Sequence, residues 1–299
     1  METRMEIEKK RVAGVSVIAA FFLTGFKLVI GLLTGSLGLL SEALHSGLDL
    51  VAAVITWFSV RISDTPPDKN HHYGHGKIEN FSALIETFLL LITCAWIIYE
   101  AVHRLLSGDT KIEVNMWSYI VVVFSIAIDF ARSRALYKVA RKYNSQALEA
   151  DALHFSTDIW SSAVVLLGLI LAQFGWFFAD SVAALAVAFI VLGVSWQLGK
   201  RATDMLLDRV PVSVVTQIET VLNQSVGVVK YHDLRVRSSG AEHFVELTIH
   251  VQPGLSLAEA HEVSHYVEKQ ITKEVSRSYV HVHIEPDKHA SETWEMTTG

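Results

Sequence analysis

The alternation of apolar and polar stretches divides the chain into two unlike parts. Six apolar runs occupy 12–33, 37–61, 80–106, 114–138, 148–174 and 178–200. Each is long enough to cross a bilayer as an α-helix. The connection at 34–36 is very short, whereas 62–79, ISDTPPDKNHHYGHGKIE, is polar with paired prolines and is expected to form a loop. Beyond about 209 the pattern changes. Pro211 breaks the chain, and 212–224 suits a short helix. Residues 228–236 and 243–251 alternate or favour β-branched side chains around the turn signal SSGAE. Residues 256–275 form an amphipathic helix, with Ser256 as N-cap and Ala260, Val263, Val267 and Ile271 on the apolar face. A last strand covers 279–285. The expected fold is an α-helical membrane protein of six transmembrane helices (1–208), followed by a small αββαβ two-layer domain (209–290) and a polar tail (291–299).

Composition agrees with that division. Of 299 residues, 51% are hydrophobic and only 19% charged, and the mean hydropathy is +0.35, more apolar than a soluble domain. A net charge of −6 argues against a nucleic-acid partner. The single cysteine, Cys94, rules out a disulfide framework or a cysteine metal cluster. The opening METRMEIEKKR mixes both signs of charge and has no small-residue cleavage site, so the first apolar run is expected to stay as an uncleaved helix. Basic residues gather at Lys9, Lys10 and Arg11, in the loop at Arg61, Lys69 and Lys77, around the fourth and fifth runs at Arg132, Arg134, Lys138, Arg141 and Lys142, and after the sixth at Lys200, Arg201 and Arg209. The opposite side shows only Arg104 and Lys111. The positive-inside rule then places both termini in the cytoplasm.

Charged residues inside the apolar runs are the informative ones. Each costs roughly 2.5–3.5 kcal/mol at the centre of a membrane helix even on the mild insertion scales. His45 and Asp49 stand i, i+4 on one face of the second run, and His154 and Asp158 repeat the pattern in the fifth. At the helical rise, His45 lies roughly 12 Å in from one side, and His154 to Asp158 roughly 9–15 Å in from the other. All four therefore fall near the midplane. Two imidazoles and two carboxylates make a tetrahedral N2O2 set for a divalent cation, zinc first and cobalt or cadmium next. The competing reading makes each pair a local hydrogen bond that holds helices together. Two copies at matching depth favour the metal, whose charge would offset the burial of both carboxylates. Lys27 and Glu42 are expected to form an ion pair, with outward snorkelling of Lys27 as the alternative. Glu86 either shuttles protons or faces a polar interior.

The stretches GSLGLLSEALHSGLDL and DALHFSTDIWSS, the paired His and Asp motif in the second and fifth runs, the histidine-bearing loop and the αββαβ end resemble the cation diffusion facilitator family over nearly the whole chain. The resemblance implies a homodimer that exports a divalent metal in exchange for protons by alternating access. It implies that His45, Asp49, His154 and Asp158 form the transport site, that the C-terminal domain is cytoplasmic and metallochaperone-like, and that Zn2+ is both cargo and regulator. Members with histidine in both pairs are mostly zinc transporters, and manganese members tend to carry aspartate there. The short chain suggests a bacterial inner membrane protein. A dication binds only neutral imidazole, which titrates near pH 6.5 when unperturbed. Cytoplasmic metal would displace protons from the site, and reprotonation on the other side would release the metal.

The resemblance also maps secondary features onto this sequence. Asp68, His71 and His75 correspond to a loop metal site, with His72 an extra imidazole beside them, although a solvated polar loop would read the same way. Lys77 and Asp208 correspond to an ion pair between the membrane and cytoplasmic parts. Eight of the fourteen histidines lie beyond residue 208. Among them His232, His261 and His283 match family ligands, and Glu285 stands where some relatives have aspartate. Thr248 occupies a position that is histidine in some relatives. His250, two residues on and on the same strand face, can substitute. His243, His265, His281 and His289 are expected to be ordinary surface histidines.

HEVSH, 261–265, matches the zinc-protease pattern, with His261 and His265 as ligands and Glu262 as base. An amphipathic helix in a domain of under a hundred residues, with no third ligand at the usual spacing, argues against an enzyme. A metal sensor without transport is a third class, disfavoured because a sensor does not need the four membrane residues. Within transport, the alternative cargo is Fe2+ or another first-row ion.

Overall fold

The computed structural model describes residues 4–34, 37–107, 116–173 and 178–287. Its elements are α1 (Arg4–Thr34), α2 (Leu37–Ser63), α3 (Lys77–Ser107), α4 (Met116–Tyr143), α5 (Gln146–Gln173), α6 (Phe178–Leu206), α7 (Val212–Gln224), β1 (Lys230–Ser239), β2 (Glu242–Val251), α8 (Leu257–Glu274) and β3 (Ser278–Pro286). The chain forms two compact units, 1–203 and 204–299.

The first unit is a bundle of the six long helices. Arg4–Leu33, Ala43–Ser63, Lys77–Ser107 and Ala184–Leu206 are long and apolar enough to cross a membrane by length and composition alone. α4 and α5 have similar length but carry more charge. α1 and α3 extend beyond the apolar runs: α1 begins at Arg4, and α3 at Lys77. The basic cluster Lys9, Lys10 and Arg11 therefore lies within a helix rather than ahead of one. An intrahelical bond satisfies each backbone group there, so the helix continues through charged residues past the apolar run. The loop contracts correspondingly to 64–76.

Small side chains set the packing. Ala13, Ala20, Ala53, Ala140, Ala147 and Ala152 pack with Val60, Leu136, Leu148 and Phe155 between α1, α2, α4 and α5. A second core joins α3, α5 and α6 through Ala83, Leu90, Cys94, Ala150, Val187, Val191, Leu198 and Ala202. Close approach of backbones is how membrane helices gain dispersion energy without a hydrophobic driving force between them. Gly199 shows the same tightness, because a Cβ there would stand 2.9 Å from Thr87 Cγ2. Large apolar groups, among them Phe21, Phe22, Phe88, Trp96 and Trp196, point outward, as a lipid-facing surface requires.

The second unit is the expected αββαβ domain. β1 pairs antiparallel with β2, and β2 parallel with β3, in the order β1-β2-β3. The turn between the first two strands narrows to Gly240 and Ala241 because both strands extend into SSGAE. Val245, Leu247, Ile249 and Val251 alternate onto one face and pack against Ile218 and Leu222 of α7 and Val267 and Ile271 of α8. A capping box starts α8: Ser256 Oγ accepts from the Glu259 backbone N–H, and Glu259 Oε2 accepts from the Ser256 backbone N–H at 2.8 Å. The Ser256 hydroxyl, which also donates to Glu259 Oε2, and the Ser256 backbone N–H hold the Glu259 carboxyl below its ordinary range.

Candidate metal transport site

α2 and α5 bring the two His and Asp pairs close together. The His154 Nε2 atom lies 3.1 Å from Asp49 Oδ1 and 3.9 Å from Asp158 Oδ2, while His45 Nε2 lies 3.7 Å from Asp158 Oδ1. His45, Asp49 and Asp158 each offer a donor atom within 4.8 Å of the others. The edge of a tetrahedron with bonds of 2.0–2.1 Å is about 3.3 Å, which the His154–Asp49 separation meets and the other two exceed by roughly half an ångström. The i, i+4 spacing on each helix aims both members of a pair at the same gap. The four are unequally covered. The His45 side chain is 35% exposed, while that of His154 is 2% exposed. Asp158 Oδ2 and His154 Nδ1 are buried without a hydrogen-bond partner.

Buried polar residues extend the site along the bundle. Lys9, Ser16 and Lys27 share one face of α1, and Asp49, Thr56 and Ser63 recur every seven residues on α2. Glu79, Ser82 and Glu86 follow i, i+3, i+7 on α3, and Asp151, His154 and Asp158 do so on α5. Hydrogen bonds join these rows. Thr56 and Ser82 donate to Glu86 Oε1, the latter at 3.4 Å, and Ser16 donates to Asp151 Oδ2 at 3.3 Å. Arg132 donates to Ser16 Oγ at 3.1 Å and to Asp129 Oδ1 at 3.2 Å, and its guanidinium lies 3.5 Å from the centroid of the Phe155 ring. Arg132, one of the basic residues expected to mark a helix junction, is thus inside the bundle. Glu86 faces this polar interior, with Oε2 buried and without a hydrogen-bond partner.

Lys27 is 4% exposed and donates to Ser46 Oγ at 2.8 Å, beside His45, which replaces the snorkelling alternative with a buried contact. The expected partner side chain, Glu42, lies outside the described residues, as do the side chains of Arg104 and Lys111, and His289. The row of serines, threonines, Asp129 and Asp151 was not evident as a site in the sequence. Only the seven-residue recurrence on α2 and the three- and four-residue spacings on α3 and α5 could have marked it.

The loop gathers its triad. Asp68, His71 and His75 offer donor atoms within 4.8 Å of one another. His71 Nδ1 is 3.2 Å and His75 Nε2 3.5 Å from the Asp68 carboxylate. His75 Nδ1 faces Thr65 O at 3.3 Å, which leaves Nε2 directed at the cluster. Backbone N–H groups of Asn70 and His71 donate to Asp68 Oδ1 at 2.8 and 2.7 Å, and they hold its carboxyl at about 2. His72 turns to Lys69 O at 3.1 Å, away from the triad.

In the second unit the sheet presents a row of ligands on the face opposite α7 and α8. The register aligns His232, Thr248 and His283, and next to them Lys230, His250 and Glu285. Glu285 is 3.6 Å from His250, 3.8 Å from His232 and 3.8 Å from His283. His250 does share the face of Thr248 and stands at the carboxylate. The irregularity between His232 and Arg235, with Asp233 at φ 52, turns His232 into this cluster. His261 lies on α8, where its ring stacks on His265 at 6.2 Å, and no described contact brings it to Glu285. His265 faces Glu268 at 3.6 Å. His243 is half-buried against Ser238, and burial lowers its pKa. Lys77 and Asp208 fall in different units.

Residues 13–207 match the cation efflux transmembrane domain, and residues 196–287 match the cytoplasmic domain of cation efflux proteins. The chain therefore belongs to the cation efflux, or cation diffusion facilitator, family of metal transporters. An uncharacterized transporter of Methanocaldococcus jannaschii is 32% identical over 93% of this chain and 99% of its own. The cation-efflux pump FieF of Shewanella oneidensis is 30% identical over 91% and 92%. The manganese efflux system protein MneS of Bacillus subtilis is 27% identical over 96% and 99%.

Proposed function

We propose that this cation efflux transporter exports Zn2+, with Cd2+ and Co2+ as lesser cargo, in exchange for protons. It works as a homodimer in a bacterial inner membrane with both termini in the cytoplasm. The observation that supports the reading is that His45, Asp49 and Asp158 offer donor atoms within 4.8 Å of one another, with His154 Nε2 3.1 Å from Asp49. Imidazole nitrogens favour zinc over the harder manganese ion, which prefers all-oxygen sets. Proton coupling follows from the ligands themselves, because imidazole must be neutral to bind metal. The Asp68, His71 and His75 triad and the His232, His250, His283 and Glu285 cluster would hold further metal, the latter in a regulatory role. His261 would contribute only by a route other than the geometry described. The Lys27–Glu42 pair would fix α1 against α2.

Manganese export is the second reading, favoured by the likeness to MneS. The test is metal flux into proteoliposomes under an imposed pH gradient, with zinc, iron and manganese compared for wild type and Asp158→Ala. Zinc flux that needs Asp158 and follows the gradient is the expected result. Flux of iron or manganese alone would overturn the cargo, and flux indifferent to the gradient would overturn the coupling.

A further inference from the structure

One polar cluster in the membrane unit is used by none of the functions above. Lys9 Nζ donates to Asp64 Oδ1 at 2.6 Å and to Glu79 Oε1 at 2.7 Å. Ser63 Oγ donates to the same Glu79 oxygen at 3.1 Å, and Ser145 Oγ to Glu79 Oε2 at 2.5 Å. The side chains of Lys9, Asp64 and Glu79 are 4%, 8% and 5% exposed. The cluster ties the start of α1, the end of α2, the first turn of α3 and the residue preceding α5. One ammonium thus sits between two buried carboxylates. Asp64 Oδ2 is buried and has no hydrogen-bond partner, and burial raises the Asp64 carboxyl.

The cluster lies at one end of the buried polar rows. From Glu79 the α3 row runs through Ser82 to Glu86, and from Ser63 the α2 row runs through Thr56 to Asp49 of the transport site. At the other end of that path His45 is 35% exposed. The cluster bearing Lys9 is therefore the more covered of the two.

We propose that Asp64 and Glu79 form the cytoplasmic access site for the divalent cation, and that Lys9 is its tethered plug. This rests on the cytoplasmic placement of the termini proposed above. Two buried carboxylates bridged by one positive charge are a place where a divalent cation gains more than an ammonium does. An arriving cation displaces Lys9, neutralises both carboxylates and continues along the row to Glu86 and the midplane ligands. When the cation has left, Lys9 returns and seals the end. Ser63 and Ser145 hold Glu79 in place throughout, so the site keeps its shape when Lys9 leaves. Cations without a second charge do not displace Lys9, so the cluster screens cargo before the midplane does.

Two measurements on the full-length protein test this. In proteoliposomes, Glu79→Gln and Asp64→Asn are expected to raise KM for Zn2+ or Mn2+ supplied from the side of the termini by about tenfold, with a smaller change in kcat, the signature of lost ground-state binding. A purely structural role would instead lower kcat with KM unchanged, and that result would overturn the proposal. Independently of flux, a reporter Ser82→Cys is placed in a Cys94→Ser background and labelled from that side with a membrane-impermeant thiol reagent. Labelling is expected to rise about fivefold or more with Glu79→Gln or with added Mn2+, the magnitude of a modest shift between closed and open states. Equal labelling in all cases would overturn the plug. If the wild-type protein carries no metal at all, the transport reading fails while the labelling still decides the access site.

Discussion

The His154 imidazole of α5 lies 3.1 Å from the Asp49 carboxylate of α2, nitrogen to oxygen, across the interior of the bundle. This contact joins the two His and Asp pairs into one site, since each pair alone would be a local feature of its own helix.

The first prediction follows from that contact. Asp49→Asn keeps the size of the side chain but removes a charged ligand next to His154. Zinc flux in proteoliposomes should fall by about 100-fold or more, because even a supporting partner of a metal ligand is worth 10–100-fold. Thr56→Val, seven residues along the same row, should reduce flux far less. Equal losses in the two variants would mean that the row, rather than the four ligands, carries the cation.

Selectivity should follow ligand chemistry. Replacing both imidazoles, in the double variant His45→Asp and His154→Asp, converts the site from N2O2 to all oxygen. The ratio of manganese to zinc flux should rise by about tenfold or more, as expected when borderline nitrogen donors give way to hard ones. An unchanged ratio would show that selectivity is set elsewhere in the protein.

Asp68 makes a pH prediction whose sign can be worked out. Backbone N–H donors from Asn70 and His71 hold its folded carboxyl at about 2, below the ordinary value of 3.8. A depressed carboxyl contributes stability that is complete above the ordinary value and is lost as the pH falls through about 2. The melting difference between wild type and Asp68→Asn should therefore be constant from pH 8 to about 5 and shrink only below about 4. Loss of loop metal at higher pH would come from protonation of imidazole.

Much of this architecture was legible in the sequence. The apolar runs, the i, i+4 pairs of α2 and α5, the strand alternation and the Ser256 cap are local patterns, each fixed by a few neighbouring residues. Lys9 was not legible in the same way. In the sequence it is one of three basic residues ahead of the first apolar run, yet its partners lie 55 and 70 residues away. Asp64 and Glu79 looked like loop charges, and only helix packing buries them. Ser16, Thr56 and Ser82 look neutral in a membrane helix, and their meaning comes from the acids they face. Depth alone pairs Lys27 with Glu42, a criterion that cannot see that Ser46 also lies within reach. His261 matched a family position, but it lies on α8 rather than on the sheet face that carries Glu285.

The sheet cluster gives a prediction that separates two neighbouring positions. His250 is 3.6 Å from Glu285, and Thr248 sits one row away, opposite His232 and His283. Calorimetric zinc titration of the full-length protein should lose the cytoplasmic component with His250→Ala and keep it with Thr248→Val. A ligand set that bypassed His250 would show the same titration in both variants.

The last prediction concerns the link between α7 and β1. Gly227 has φ +90, a conformation that side chains rarely adopt, and a Cβ there would stand 2.9 Å from Val263 Cγ2 and 3.2 Å from Cγ1. Val263 is β-branched, so it has little rotamer freedom with which to yield. Gly227→Ala should therefore destabilise the second unit by about 1–3 kcal/mol, combining left-handed backbone strain with overpacking. The two contributions can be separated. Adding Val263→Ala removes the clash but leaves the backbone strain, so the double variant should be more stable than the sum of the single changes. Hydrogen exchange in β1, β2 and β3 of the full-length protein reports the loss where it arises. Strict additivity would leave backbone strain as the whole effect and show that Val263 accommodates the methyl group.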